Sequence, residues 1–142
     1  TAEDIKIQIG SVFPRSEETT MVVRGRDSKS GMPRDVSLTA SEICGLLQKS
    51  ANRIADEVLS VLEDTSPELV GDIADSGIVL TGGGSQLWGM DMLLQSRIGI
   101  PCTVADDPAS CVAYGCGKSL SWISKMTEGP ANLARKRLMQ GF

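Results

Sequence analysis

Three consecutive glycines, Gly82-Gly83-Gly84, stand between the apolar run Ile78-Val79-Leu80 and the segment Ser85-Gln86-Leu87. Without a Cβ, glycine takes left-handed dihedrals and lets a flat ring or a phosphate approach the backbone closely. A buried strand that delivers such a loop to the mouth of a helix predicts a ligand at the carboxyl end of the strand. A tight strand-to-helix turn with no ligand is the plainer alternative. Two phosphate-binding fingerprints fail here. A dinucleotide fingerprint would need its third glycine at Leu87, and Asp106 is a weak stand-in for the acidic residue expected about twenty positions on. Gly117-Lys118-Ser119 imitates the end of a phosphate loop, but the earlier glycine position is Val112 and the stretch lies inside a predicted helix. Lys118 therefore reads as a helix-surface lysine.

The composition closes several other chemistries. The 142 residues include no histidine, which excludes Ser-His-Asp and Cys-His nucleophiles and His-ligated zinc. Cys44, Cys102, Cys111 and Cys116 match neither a zinc ribbon nor a redox Cys-x-x-Cys pair, so reduced and mostly buried thiols are expected. A net charge of −4 gives no positive field for nucleic acid, and one Tyr, two Phe and two Trp make no base-stacking platform. No apolar run has the length of a membrane span, and Thr1-Ala2-Glu3-Asp4 has none of the features of a leader peptide. A cytoplasmic protein is expected.

The elements that must position the glycine loop follow from periodicity. Thr1 to Gly10 reads as the end of a helix that began before Thr1, closed by Gly10 as a C-terminal glycine. Two β-prone runs, Thr20 to Gly25 and Arg34 to Thr39, flank the turn formers Ser28 to Pro33 and predict a hairpin. Thr39 and Glu42 have capping-box spacing ahead of a long amphipathic helix through Leu62, with an interruption allowed near Ser50. Ser66 with Pro67 opens a helix to Ala74. Then come a strand at 78–80, a helix from Leu87 to Ile98 ended by Gly99, a strand from near Ile100 to Val104, and a helix starting at Asp107-Pro108. Alternation of strands and helices predicts an α/β fold.

Several separated motifs stand in one order: Thr1-Ala2-Glu3-Asp4-Ile5-Lys6, Arg24-Gly25-Arg26-Asp27, Ser30-Gly31-Met32-Pro33, Ser66-Pro67-Glu68-Leu69, Gly77 to Gly84, and Asp107-Pro108 with Val112-Ala113-Tyr114-Gly115. In that order they resemble the MreB-type bacterial actins, over residues 1 to about 120, within the actin and Hsp70-like ATPase superfamily. The resemblance implies an actin-like (ribonuclease H-like) fold and a C-terminal portion of such a protein. It assigns 1–42 to the end of a small, hairpin-bearing subdomain and 43–111 to most of a core subdomain. Residues 112–142 would be helices that pack on an absent lobe, with a basic tail.

It also implies that Glu3 and Lys6 grip the adenosine of ATP from one helix face. Gly10 would give the base room, Gly82, Gly83 and Gly84 would approach through backbone, and Gln86 would lie against the ring. A solvated ion pair is the alternative for Glu3 and Lys6. The β- and γ-phosphates and Mg²⁺ would be held by segments that precede the matched stretch, so 1–142 alone is expected to have no ATP turnover. The implied role is a cytoskeletal filament subunit that determines rod cell shape. Its partners would be copies of itself and the cell-wall synthesis machinery, with the inner face of the cell membrane as a further site. For the tail Arg135-Lys136-Arg137 a solvated terminus is favoured over lipid contact. An Hsp70-like chaperone ATPase would need a peptide-binding domain after the nucleotide domain, and an NAD-dependent enzyme a complete dinucleotide fingerprint.

Overall fold

The structure is a computed structural model that describes residues 1–122. The basic tail and most of the expected C-terminal helices lie outside the described residues. Helix α1 spans Ala2–Ile9 and buries Ile9 against the rest of the chain, leaving Ile7 exposed. After a strap from Gly10 to Arg15 come strands β1 (Thr20–Arg26) and β2 (Pro33–Thr39), an antiparallel hairpin in register from Thr20 opposite Thr39 to Arg26 opposite Pro33. The connecting loop is organised by Asp27, whose carboxylate accepts the backbone N–H groups of Lys29 and Ser30 at 2.7 and 3.0 Å. Those bonds, led by the one from Ser30, hold the Asp27 carboxyl below its ordinary value.

Helix α2, Ala40–Glu63, starts with the expected reciprocal cap: the Glu42 N–H donates to Thr39 Oγ1 at 3.2 Å and the Thr39 N–H to Glu42 Oε2 at 2.9 Å. It runs without interruption past Ser50, which is exposed and costs the helix little. Helix α3, Pro67–Ser76, has Ser66 at the cap position but no side-chain cap bond, so proline at the first turn and not the serine defines its start. Strands β3 (Ile78–Leu80) and β4 (Cys102–Val104) pair in parallel, and helix α4 (Met90–Ile98) supplies the crossover that parallel strands require. Helix α5 occupies Cys111–Leu120.

The core lies between α2 and α4 and over the β3–β4 pair. Ala51 and Ala55 on α2 present small side chains that let Met90, Leu93 and Leu94 of α4 pack closely, with Val12 and Cys102 completing the buried set. Phe13, Leu47, Val58, Ile78, Leu80 and Ile98 surround it.

Four sequence expectations change. The helix predicted from Leu87 begins at Met90, because Gly89 is left-handed at φ 81° and the preceding Gly83–Gln86 form a short 3-10 turn. The helix predicted from Asp107-Pro108 begins at Cys111: the Pro108 carbonyl turns away to accept the Gly82 N–H at 2.6 Å, and the Ser110 N–H closes a turn onto Asp107. The β3 strand is also not fully buried, since Val79 is 62% exposed. Nor are the thiols mostly buried: all four cysteines are free, Cys44 and Cys102 inside, Cys111 half-buried and Cys116 exposed. Burial first, and then the charge of Asp91, push the Cys102 thiol up and keep it unreactive.

Candidate functional site

One wall of the site is α1. Glu3 and Lys6 are three apart and share a helix face, and Lys6 Nζ lies 2.8 Å from Glu3 Oε1. Both side chains are substantially exposed, so the pair contributes about 0–1 kcal/mol to stability at most. Gly10 ends the helix with its N–H on the Lys6 carbonyl at 3.0 Å. Its dihedrals, φ −63° and ψ 135°, are extended and not left-handed, so the expected C-terminal glycine geometry is absent. Glycine is required there for space instead. A Cβ would stand 2.1 Å from the Lys6 carbonyl oxygen and 3.1 Å from Leu87 Cδ1.

The other wall is the glycine turn. Gly82 has φ 84°, which only glycine adopts readily, and its carbonyl accepts both the N–H and the hydroxyl of Ser85, at 3.2 and 2.7 Å. Gly83 and Gly84 differ from it. Neither has a positive φ, and a Cβ on either would meet nothing within 4 Å. Neither dihedral strain nor packing explains glycine at these two positions. They border open space.

That space is a cleft of about 400 Å³ between the two walls. Glu3, Lys6, Ile7 and Gly10 line it from α1, and Gly83, Gly84, Gln86, Leu87 and Trp88 from the opposite side. Of the seven residues singled out from the sequence, six border one cavity. Gly82 does not line it; it shapes the turn that presents its neighbours.

The walls are joined by the strap after α1. The Val12 N–H donates to the Trp88 carbonyl at 3.0 Å, and Ser11 pairs with Trp88 in a parallel bridge. Gly89 makes room for this, since a Cβ there would meet Phe13 Cβ at 2.5 Å. Arg15 then reaches back: Nη2 donates to the Gly10 carbonyl at 3.2 Å, and the guanidinium lies 4.9 Å from the centre of the Trp88 ring. Arg15 and Trp88 were not singled out from the sequence. Their encounter depends on how the strap crosses the loop after the glycines, and the one available signal was an aromatic residue just beyond the glycine turn.

The sequence profile of the MreB/Mbl protein family matches residues 1–128. The chain belongs to the MreB/Mbl family. Among MreB/Mbl relatives it is 46% identical to the cell shape-determining protein MreB of Escherichia coli K12, covering 87% of this chain and 35% of that one. It is 43% identical to the cell shape-determining protein Mbl of Bacillus cereus, covering 89% and 38%. The fold is likewise that of this family: MreB5 of Spiroplasma citri, crystallised with ADP, superposes with a TM-score of 0.81 at 34% identity over 88% of this chain and 39% of that one. The same protein crystallised with AMPPNP gives 0.81 at 36% identity, over 88% and 38%. The chain thus spans between about a third and two fifths of the length of these MreB/Mbl proteins. It is an actin-like α/β unit that makes up part of the family's fold.

Proposed function

We propose that the cleft holds the adenosine of ATP, with Glu3 and Lys6 on the ribose and base edge, Gly10 giving the ring room, Gly83 and Gly84 at van der Waals distance, Gln86 against the ring, and Gly82 setting the turn. The observation that carries this is the pair Gly83 and Gly84, whose missing side chains serve no dihedral or packing need of the protein and leave a wall open to a ligand. The cleft volume lies in the range of small-molecule sites. Nucleotides in the related MreB5 crystals support the same reading. Among the described residues no group of three or more His, Cys, Asp or Glu is placed to hold a metal. Mg²⁺ and the terminal phosphates belong, in this proposal, to the part of the family's length that this chain does not span.

The whole protein, in this proposal, is an ATP-dependent filament subunit that determines rod cell shape, assembling with its own copies and with the cell-wall synthesis machinery at the inner face of the membrane. In the same proposal residues 1–42 form the end of the small subdomain, 43–111 most of the core subdomain, and the described helix α5 packs on the remaining lobe. The cell-shape relatives support this reading.

Calorimetric titration of ATP tests the cleft. Replacing both Glu3 and Lys6 by Ala is expected to weaken ATP binding by about tenfold or more while leaving the unfolding free energy within about 1 kcal/mol, since the exposed pair contributes little to folding. Unchanged affinity in the double variant would falsify the assignment. In a phosphate-release assay, residues 1–142 alone are expected to show no turnover, because in-line phosphoryl transfer needs metal and donors on the phosphates.

A further inference from the structure

Arg15 is the cation of the cleft that has no carboxylate partner among the described residues. Lys6 is neutralised by Glu3 at 2.8 Å, whereas Arg15 forms no ion pair. Its Nη2 donates to the Gly10 carbonyl, its Cζ lies over the Trp88 ring at 4.9 Å from the centroid, and its Nε is buried without a hydrogen-bond partner among the described residues. Trp88 is itself 37% exposed and anchored through its backbone to Ser11 and Val12. A large aromatic side chain is thus placed at the edge of the cleft, next to a planar cation whose donors are only partly used.

An exposed tryptophan needs a reason, and so does an arginine donor withdrawn from water. The exposed ring has its reason if the cleft's ligand brings a flat ring that stacks on it. A purine stacks well on indole or on guanidinium, and its ring nitrogens accept hydrogen bonds. The contacts of Arg15 with Gly10 on one wall and Trp88 on the other place it where a base entering between the walls would meet it.

We infer that the stacked pair Arg15 and Trp88 is a base-recognition wall of the nucleotide cleft, selecting purine over pyrimidine nucleotides through stacking. This rests on the reading of the cleft as the adenosine site and adds to it a specificity element made from the strap and the loop after the glycine turn. Arg15 acts here as a stacked plane with a directed donor, not as a point charge. Lysine, which has neither the plane nor the fork, cannot replace it.

The experiment uses the protein in the full length that its gene encodes, with every tryptophan other than Trp88 replaced by Phe, so that Trp88 emission reports on the wall. ATP and CTP affinities are measured by calorimetric titration of it and of the variants Arg15→Ala, Arg15→Lys, Trp88→Leu, Trp88→Phe and Lys6→Ala, each checked by circular dichroism for retained folding, and Trp88 emission is followed in those that keep Trp88. The expected results are a change in Trp88 emission on adding ATP and a roughly 3- to 30-fold loss of ATP affinity in Arg15→Ala, with Arg15→Lys no better. The preference for ATP over CTP is expected to fall by roughly tenfold in Trp88→Leu but to survive in Trp88→Phe. A purely structural role for the pair would leave that preference unmoved. If Lys6→Ala weakens ATP while the Arg15 and Trp88 variants bind like the parent and the emission stays constant, the wall is refuted and the adenosine site stands. Rescue by Arg15→Lys overturns stacking in favour of simple charge. If none of the variants changes ATP binding, the site itself is elsewhere and the wall falls with it.

Discussion

A Cβ at Gly10 would sit 2.1 Å from the Lys6 carbonyl oxygen, although the residue's φ of −63° suits any side chain. Gly10→Ala must therefore push apart the end of α1 and the loop at Leu87, and is expected to cost about 1–3 kcal/mol in a urea unfolding titration. Gly84→Ala, facing open space, should change stability by less than about 0.5 kcal/mol and instead reduce ATP affinity. The two glycines were both visible in the sequence, but their reasons were not, because a missing Cβ leaves the same letter whether the need is dihedral, steric or for a ligand. Asp27 supports a pH prediction. Its folded pKa is lowered from 3.8 by backbone N–H groups of Ser30 and Lys29, so the stabilisation is complete above that value and is lost as pH falls through the folded one. The Lys29 and Ser30 amide resonances should titrate together with a midpoint below 3.8, and Asp27→Asn should abolish the transition.

Elements whose signals are local were legible. The Thr39 and Glu42 capping box forms as its spacing demands, because both bonds lie within one turn of backbone. Thr39→Ala should lower stability by about 1 kcal/mol in chemical denaturation, with Glu42→Ala partly equivalent. The hairpin was likewise readable from its two β-prone runs and turn residues, and the strand at 78–80 from its apolar run, whereas the hairpin's register came from the structure. Element starts were less so. Helix α4 begins three residues later than its apolar pattern suggested, since Gly89 must turn left-handed to let Phe13 pass, and no local rule carries that contact. Helix α5 is delayed because Pro108 is committed to Gly82 across the sheet edge. Packing between α2 and α4 has the same character: Ala55 is fully buried, and Ala55→Leu should cost about 1–3 kcal/mol by overpacking, read as a lower unfolding midpoint.

At the scale of the molecule, the described part of α5 buries no residue, and Val112, Tyr114, Leu120 and Trp122 are all more than 60% exposed. Apolar surface of that kind promotes self-association, so residues 1–142 alone should exceed monomer mass as concentration rises in light scattering, and Val112→Lys with Trp122→Lys should reduce the effect. A constant monomer mass would contradict it. Motif order, helix periodicity, the capping box and the absence of histidine followed from the chain by itself, and they were enough for the fold class and for the family resemblance, which in turn pointed to six residues that line the cleft. Those are properties of neighbours in sequence or of residue types, which the linear order preserves. Only the tertiary structure decided that Gly82 shapes the turn while Gly83 and Gly84 face the cavity. It also decided that Gly10 is glycine for space, and that Arg15 reaches from Gly10 to Trp88 to join the two walls. Each depends on a contact between segments distant in the chain, and the sequence carries no period or spacing that encodes such an encounter.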